Sequence, residues 1–383
     1  PPPPQNTVFL MIRRPPRSTL PTFRRQRQMC IRDSLSKRFM FGIGAVTNMN
    51  DGFPWGIWIT YDVVVGTAFA CGGYSMALLV YVFNNGEYHP LVRPALLASM
   101  FGYTLAGVSV FIDIGRYWQI YNVFLPWYTN FNSVLLEVAL CIAAYIAVLW
   151  IEFSPTFIEA SSGTKSKVNK LLIFFIALGI LLPTMHQSSL GSVMILAGHK
   201  LSPLWWTPAL PLIFLISAIT MGYTVVIFES TLSALGLKRP FETDMLAKLS
   251  LVIPILLVIF LVVRFGDLLM RGELGLAFSG TLQGNMFLLE NILHIVPLVI
   301  LASASNRKRA KLLFLAACCL MAGGLLFRFN TYLEGFHPGE GWNYFPAIGE
   351  QFITYTIISA EILLYMIFVK KLPVLPGHEQ AKV

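Results

Sequence analysis

Nine apolar stretches, at about residues 55–83, 93–113, 131–151, 171–195, 209–235, 249–270, 286–304, 311–329 and 348–369, take up most of the chain. Each approaches or exceeds the ~20 residues that a helix needs to cross ~30 Å of hydrocarbon. The composition agrees, with 56% hydrophobic and only 12% charged residues, whereas a soluble domain carries roughly a quarter charged residues. A water-soluble globular fold is excluded. The fold class is an all-α integral membrane protein with nine transmembrane helices.

The net charge of +9 raises the question of a nucleic-acid partner, and its placement answers it. Seven arginines (13, 14, 17, 24, 25, 27 and 32) fall within the first 34 residues against one acid, Asp33, so that segment supplies +6 of the total. It also holds seven prolines and no apolar run longer than five residues, which fits neither a membrane span nor a secretory signal. The pieces MIRRPPRSTL and QRQMCIRDS resemble translated sequencing-adapter read-through, so residues 1–34 are read as foreign to the native chain. Residues 35–376 form the membrane domain and 377–383 a short tail. No nucleic-acid partner is expected.

The helices alternate in direction, so their lysines and arginines divide between two ends. One end collects 14 and the other five, namely Arg116, Lys200, Arg264, Arg271 and Arg328. The basic end is expected to be cytoplasmic, with the C-terminus inside. The first apolar stretch then begins on the outer side, and a tenth helix ahead of residue 42 is expected in the native chain. The longer connections, 114–130, 196–208, 271–285 and 330–347, lie at the outer end and are rich in Trp, Tyr, Pro and Gly. They suit a bilayer interface and a docking surface for an extracytoplasmic partner.

The chain repeats itself at a spacing near 150. Gly73-Tyr74 answers Gly222-Tyr223, Asp113-Ile-Gly-Arg116 answers Arg264-Phe-Gly-Asp267, and Asn132-Ser-Val-Leu-Leu-Glu137 answers Asn285-Met-Phe-Leu-Leu-Glu290. Four helices separate the copies, so the repeat is parallel and predicts two four-helix bundles.

Asp62, Glu137, Glu229, Glu290, Glu361, His186 and His294 lie within the apolar stretches. An ionised carboxylate at a helix centre costs about 2.5 to 3.5 kcal/mol, so these groups are expected to face the bundle interior as paired or neutral groups. Such positions suit a proton relay as well as a structural hydrogen bond. Glu137 is placed ~9 Å below the outer end of its helix, Tyr103 midway along the second stretch, His186 in the outer half of the fourth, and Glu229 near the basic end. Asp113/Arg116 and Arg264/Asp267 are expected to be ion pairs at helix ends. Cysteine occurs at 30, 71, 141, 318 and 319, a spacing that offers no iron–sulfur or zinc site. Two in-span histidines are too few for a pair of b-type haems. There is no P-loop and no dinucleotide fingerprint.

The runs Gly52-Phe-Pro-Trp-Gly-Ile-Trp58, Tyr88-His-Pro-Leu-Val-Arg-Pro-Ala-Leu-Leu-Ala-Ser99, Ile112-Asp-Ile-Gly-Arg-Tyr-Trp118, Asn132 to Glu137, Leu182-Pro-Thr-Met-His-Gln-Ser-Ser189 and Val225-Val-Ile-Phe-Glu229 resemble the NrfD/PsrC family, the polysulfide reductase membrane subunits. The likeness extends from about Leu35 to Pro376 and is similar above all to the HybB-type membrane subunits of nickel-iron hydrogenases, often labelled cytochrome b subunits. The resemblance implies a ten-helix, quinone-reactive subunit of the bacterial inner membrane, of whose first helix only Leu35 to Phe41 remain here. Its implied partners are a periplasmic four-cluster ferredoxin-like iron–sulfur subunit, the large and small subunits of a nickel-iron hydrogenase, and membrane lipid. Its implied substrate is menaquinone or ubiquinone, and no haem or iron–sulfur cluster is expected in this chain. The family's buried protonatable positions map onto Tyr103, Glu137, His186 and Glu229.

The expected chemistry is electron transfer from the iron–sulfur partner to quinone near the outer face, coupled to proton uptake. Trp55, Gly56, Tyr103 and Glu137 are expected to line the pocket, with Asp62 and Asp113 as further quinone-binding candidates. His186 assists as hydrogen-bond donor or proton carrier, and Glu229 admits protons from the basic end. An ion or solute carrier and a passive membrane anchor of another redox complex are the alternatives.

Overall fold

The computed structural model describes residues 33–162, 170–237 and 239–375. The readings that concern residues 1–32, Lys165, Lys167, Lys238 and the 377–383 tail lie outside the described residues. Among the described residues nine helices are long and apolar enough to cross a membrane: α1 Trp58–Val82, α2 Gly86–Asp113, α3 Val134–Glu159, α4 Lys170–Ile195, α5 Leu210–Gly236, α6 Thr243–Arg271, α7 Leu282–Ala302, α8 Ala310–Glu334 and α9 Ile348–Lys371. A bilayer core offers backbone groups no water, so each such stretch closes its own hydrogen bonds as a helix. α2, α6 and α8 run well beyond their apolar stretches, because helical hydrogen bonding continues past the point where hydropathy falls. Two helix ends carry recognisable caps. Thr281 caps α7 by accepting from the Gly284 amide at 3.1 Å, and Gly272 ends α6 in the left-handed conformation at φ 73°.

The nine helices are those of an integral membrane protein. α1 is the most buried of them and contains two π-helical stretches, Trp58–Val65 and Leu78–Val82. α2, α3 and α4 pack in sequence beside α1, and α5 to α8 form the second set. The two sets meet where α5 crosses α1. A Cβ at Gly222 would lie 2.5 Å from the Cys71 carbonyl oxygen, so the absence of a side chain lets two backbones touch, as small residues do between membrane helices. α9 lies against α1 and α2.

Several charges lie elsewhere than the sequence suggests. Arg264 and Arg328 do not belong to the outer surface: both are buried, at 3% and 0% exposure. Arg264 pairs with Glu290 rather than Asp267, and Glu290 Oε2 also accepts from Trp205 Nε1 at 3.0 Å and Asn330 Nδ2 at 2.9 Å. The guanidinium sits 4.6 Å from the Phe287 ring centre and 5.0 Å from that of Phe327, a desolvated cation–π setting. Asp267 instead pairs with Arg271 one turn on, at 2.6 Å. The reason is rotational, because Arg264 is on the bundle face of α6 and Asp267 on its flank. The expected Asp113/Arg116 pair does not form either, since α2 ends at Asp113 and Arg116 is exposed in the turn beyond it.

The segment ahead of α1 is helical at 33–41 and brings Arg38 to that same terminus. Arg38 Nε donates to the Ile112 carbonyl at 2.5 Å and a second guanidinium nitrogen to that of Ile114. These are the C-terminal carbonyls that a helix leaves unpaired. Burial pulls the Arg38 pKa down, while nearby Asp113 acts in the opposite direction.

Candidate functional site

An apolar cavity of about 520 Å³ opens among α1 to α4 at the end opposite the basic loops. Val63 and Val64 of α1, Val108 and Phe111 of α2, Leu135 and Ile142 of α3 are among its walls. The 3-10 segment Tyr117–Phe124 closes its outer end through Ile120, Val123 and Phe124. Val108, Phe111 and Leu135 are exposed on the lipid-facing side, so the cavity communicates with the bilayer between α2 and α3. The connection that follows α2 carries Trp118, Trp127, Tyr128 and Phe131 outward, where amphipathic rings suit the headgroup level. Size, apolar lining and few polar contacts are what a small hydrophobic ligand requires.

Of the residues singled out from the sequence, Trp55 lines this cavity. Its Nε1 donates to the Tyr332 carbonyl at 2.8 Å, and the Tyr332 hydroxyl donates to the Leu190 carbonyl at 2.8 Å, tying the start of α1 to α8 and α4 at the cavity wall. Gly56 packs under the Tyr344 hydroxyl, which a Cβ there would meet at 2.7 Å. Asp62 is buried behind Val63, its Oδ2 accepting from Ser109 at 2.8 Å and Thr354 at 3.3 Å, with Oδ1 unpartnered. Asp113 stands at the end of α2 beside Ile114, another wall residue.

Tyr103 and His186 meet directly. His186 Nδ1 is 2.9 Å from the Leu182 carbonyl, which assigns the proton to Nδ1 and leaves Nε2 as an acceptor. The Tyr103 hydroxyl donates to that Nε2 at 2.8 Å, and Gln187 Nε2 approaches it at 3.1 Å while donating to Thr67 at 3.1 Å. Tyr145 stacks edge-on against Tyr103 at 4.6 Å between ring centres. Glu137 is in the first turn of α3, about 4.5 Å along the axis, shallower than expected because the helix begins at Val134. It accepts from Ser189 Oγ at 2.8 Å, and Ser189 lies one turn from His186, so both belong to the α3/α4 seam. Glu229 is apart from this group. It lines a crevice at the basic end with room for about one water (20 Å³), and its Oε1 accepts from the Tyr365 hydroxyl.

Three polar groups escape the sequence reading. Glu152 falls one residue past the apolar stretch assigned to α3, yet α3 continues through it and its Oε1 is buried without a partner against Gly179. Gln187 lies within the Leu182 to Ser189 run, but nothing in the sequence assigns it a partner. Arg328 reads from the sequence as an interfacial charge, but it donates to Val64 O at 3.1 Å, Phe214 O at 3.0 Å and Ser217 Oγ at 3.1 Å. Among the described residues no carboxylate pairs with it. A basic residue within an apolar stretch is the available signal.

These features define a polytopic membrane protein with an apolar, lipid-accessible cavity flanked by buried protonatable groups. The chain belongs to the NrfD family: the family described as "Polysulphide reductase, NrfD" matches residues 45–336. It is 47% identical to the probable Ni/Fe-hydrogenase 2 b-type cytochrome subunit of Escherichia coli K12, over 90% of this chain and 89% of that one. It is 26% identical to the integral membrane subunit of menaquinone reductase of Nitratidesulfovibrio vulgaris Hildenborough, over 88% and 87%. A selenate reductase subunit of Mesobacillus selenatarsenatis is 24% identical over 45% of this chain and 47% of its own.

A b-type cytochrome holds haem through paired imidazoles, and among the described residues the two buried histidines, His186 and His294, do not form such a pair. His186 and His294 lie in different bundles, each with Nδ1 at 2.8 to 2.9 Å from its own helix backbone. His186 Nε2 is engaged by Tyr103 and Gln187, and the His294 ring is stacked 4.9 Å from Phe260.

Proposed function

We propose that this chain is the membrane subunit of a respiratory oxidoreductase complex of the hydrogenase type, and that it passes electrons from an iron–sulfur partner to membrane quinone. The observation that carries this reading is the cavity of about 520 Å³, apolar and open to lipid, whose wall includes Thr104, the chain neighbour of Tyr103, and Leu190, one helical turn from His186, although neither Tyr103 nor His186 lines it. One relative is named as a b-type cytochrome subunit of a Ni/Fe-hydrogenase and another as the integral membrane subunit of menaquinone reductase, and the second name supports a quinone rather than a water-soluble substrate. The electron source is a periplasmic iron–sulfur subunit attached to a nickel-iron hydrogenase, docking on the aromatic end in a bacterial inner membrane with the basic end cytoplasmic.

Reduction of a quinone consumes two electrons and two protons, so proton donors must reach the head group. A ring entering between α2 and α3 would have its tail in the bilayer and its head toward Trp55, Val64 and Tyr332. Trp55, Gly56, Asp62 and Asp113 shape and flank this head-group region. Tyr103 and His186 form a donor–acceptor pair able to hold and return a proton, Glu137 serves the outer end of the α3/α4 seam, and Glu229 takes protons from water at the basic end.

Glu137→Gln tests the reading in the purified complex. Loss of hydrogen-dependent quinone reduction with the complex still assembled is expected. Turnover at the wild-type rate, or quinone analogues that neither inhibit nor protect the cavity from labelling, would sink it.

A further inference from the structure

α9 turns one polar face toward the first bundle. Glu350, Thr354, Glu361 and Tyr365 are separated by four, seven and four residues, which places them within about 60° of one another on the helix. From Glu350 to Tyr365 the stripe covers about 22 Å along the axis, most of the ~30 Å hydrocarbon thickness. The opposite side of α9 presents Tyr355, Ile362, Leu363 and Met366 to lipid.

Three members of the stripe, Glu350, Thr354 and Tyr365, hydrogen-bond to another polar group. Glu350, 1% exposed, accepts from the Asn48 and Ala347 amides at 2.8 and 2.9 Å and from the Tyr344 hydroxyl at 2.5 Å. Thr354 donates to Asp62. Glu361 lies on α9 between the residue that meets Asp62 and the residue that meets Glu229, and it fills the space left by Gly102 of α2, where a Cβ would lie 3.0 Å from its Oε1. Tyr365 donates to Glu229. At the inner end Glu229 Oε2 is unpartnered and the side chain lines the water-sized crevice. At the outer end Asp62 Oδ1 is unpartnered. The residues beside Asp62 and Ser109, namely Val63, Val64, Val108 and Val110, form the wall of the apolar cavity. No hydrogen bond among the described residues joins Glu229 to the Tyr103–His186 pair, and α9 lies beyond the residues that the family match covers.

We propose that α9 delivers the protons consumed in the cavity, along a column from Glu229 through Tyr365 and Glu361 to Asp62, which passes them to the bound quinone. The proposal rests on the quinone reading above. For each quinone reduced, two electrons come from the iron–sulfur partner and two protons leave Asp62. Glu361 reprotonates Asp62, Glu229 reprotonates Glu361 through the Tyr365 hydroxyl, which takes one proton as it gives up another, and water at the basic end restores Glu229. No group in the column changes oxidation state.

The test uses the complex purified with its electron-donating partner, assayed with a short-tailed naphthoquinone. Glu361→Gln keeps the shape and removes the proton. Its kcat is expected to fall at least tenfold with KM within twofold of wild type and a larger solvent deuterium isotope effect, and Glu361→Asp should recover most of the rate. Thr354→Val, which cuts the contact to Asp62, should lower kcat in the same sense. Unchanged kcat in Glu361→Gln overturns the α9 route. So does equal inactivity of the Gln and Asp variants with KM displaced, which marks a structural role. A wild-type complex that reduces no quinone removes the underlying reading instead, so the two failures are distinct.

Discussion

The Tyr103 hydroxyl donates to His186 Nε2 across 2.8 Å, joining α2 to α4 at the centre of the first bundle. Both side chains are fully buried. The imidazole is held by a second bond from Nδ1 to the Leu182 carbonyl, so its acceptor nitrogen has one direction in which to point. The pair is therefore oriented before any ligand arrives.

Tyr103→Phe removes that donor without changing the ring. The hydrogen bond contributes about 1 kcal/mol or less in a membrane protein, so the thermal midpoint in detergent should move little. If the pair handles a proton, quinone turnover should fall by at least ~10-fold. Parallel melting and turnover measurements separate the two, and a variant that melts normally and turns over normally excludes the role.

The Arg264–Glu290 pair is the polar centre of the second bundle. Glu290→Gln leaves a buried guanidinium without its counter-charge, which costs about 3–5 kcal/mol and should lower the melting temperature clearly. Adding Arg264→Met should restore most of the loss, because the new amide can still accept from Trp205 or Asn330 and no cation remains. A double variant no more stable than the single one would contradict the assignment.

Ala143 lines the cavity on α3. Ala143→Phe fills apolar space with an apolar ring, so folding should be affected by no more than about 1–3 kcal/mol. The KM for a quinone should rise roughly tenfold, equivalent to ~1.4 kcal/mol of lost binding, and more for a long-tailed quinone than a short one. Unchanged KM for both would place quinone elsewhere.

Gly222 is where α5 touches the α1 backbone. Gly222→Val forces a side chain into a contact of 2.5 Å with the Cys71 carbonyl, so the helices must separate. A loss of about 1–3 kcal/mol or more is expected, read as a lower midpoint of thermal unfolding. Stability equal to wild type would mean that the two bundles meet less closely than described.

The nine spans are legible in the sequence because hydropathy is a local property: a run of ~20 apolar residues has one stable form in a bilayer. The family is legible for a similar reason, since runs such as Leu182 to Ser189 stay contiguous in the chain. Pairing between helices is not. Arg264 could reach Asp267 by sequence spacing and Glu290 by tertiary packing, and only the rotation of α6 within its bundle selects Glu290. Arg328 looks like an interfacial charge until three oxygens from α1 and α5 surround it. Glu229 is identifiable as a buried acid, but its tie to Tyr365, and that of Asp62 to Thr354, depend on where the last helix docks. Sequence alone determined which stretches are long and apolar enough to span the membrane and which acids and histidines they carry. The lateral arrangement of rigid helices decided which of them touch, because their separation and rotation depend on contacts hundreds of residues apart.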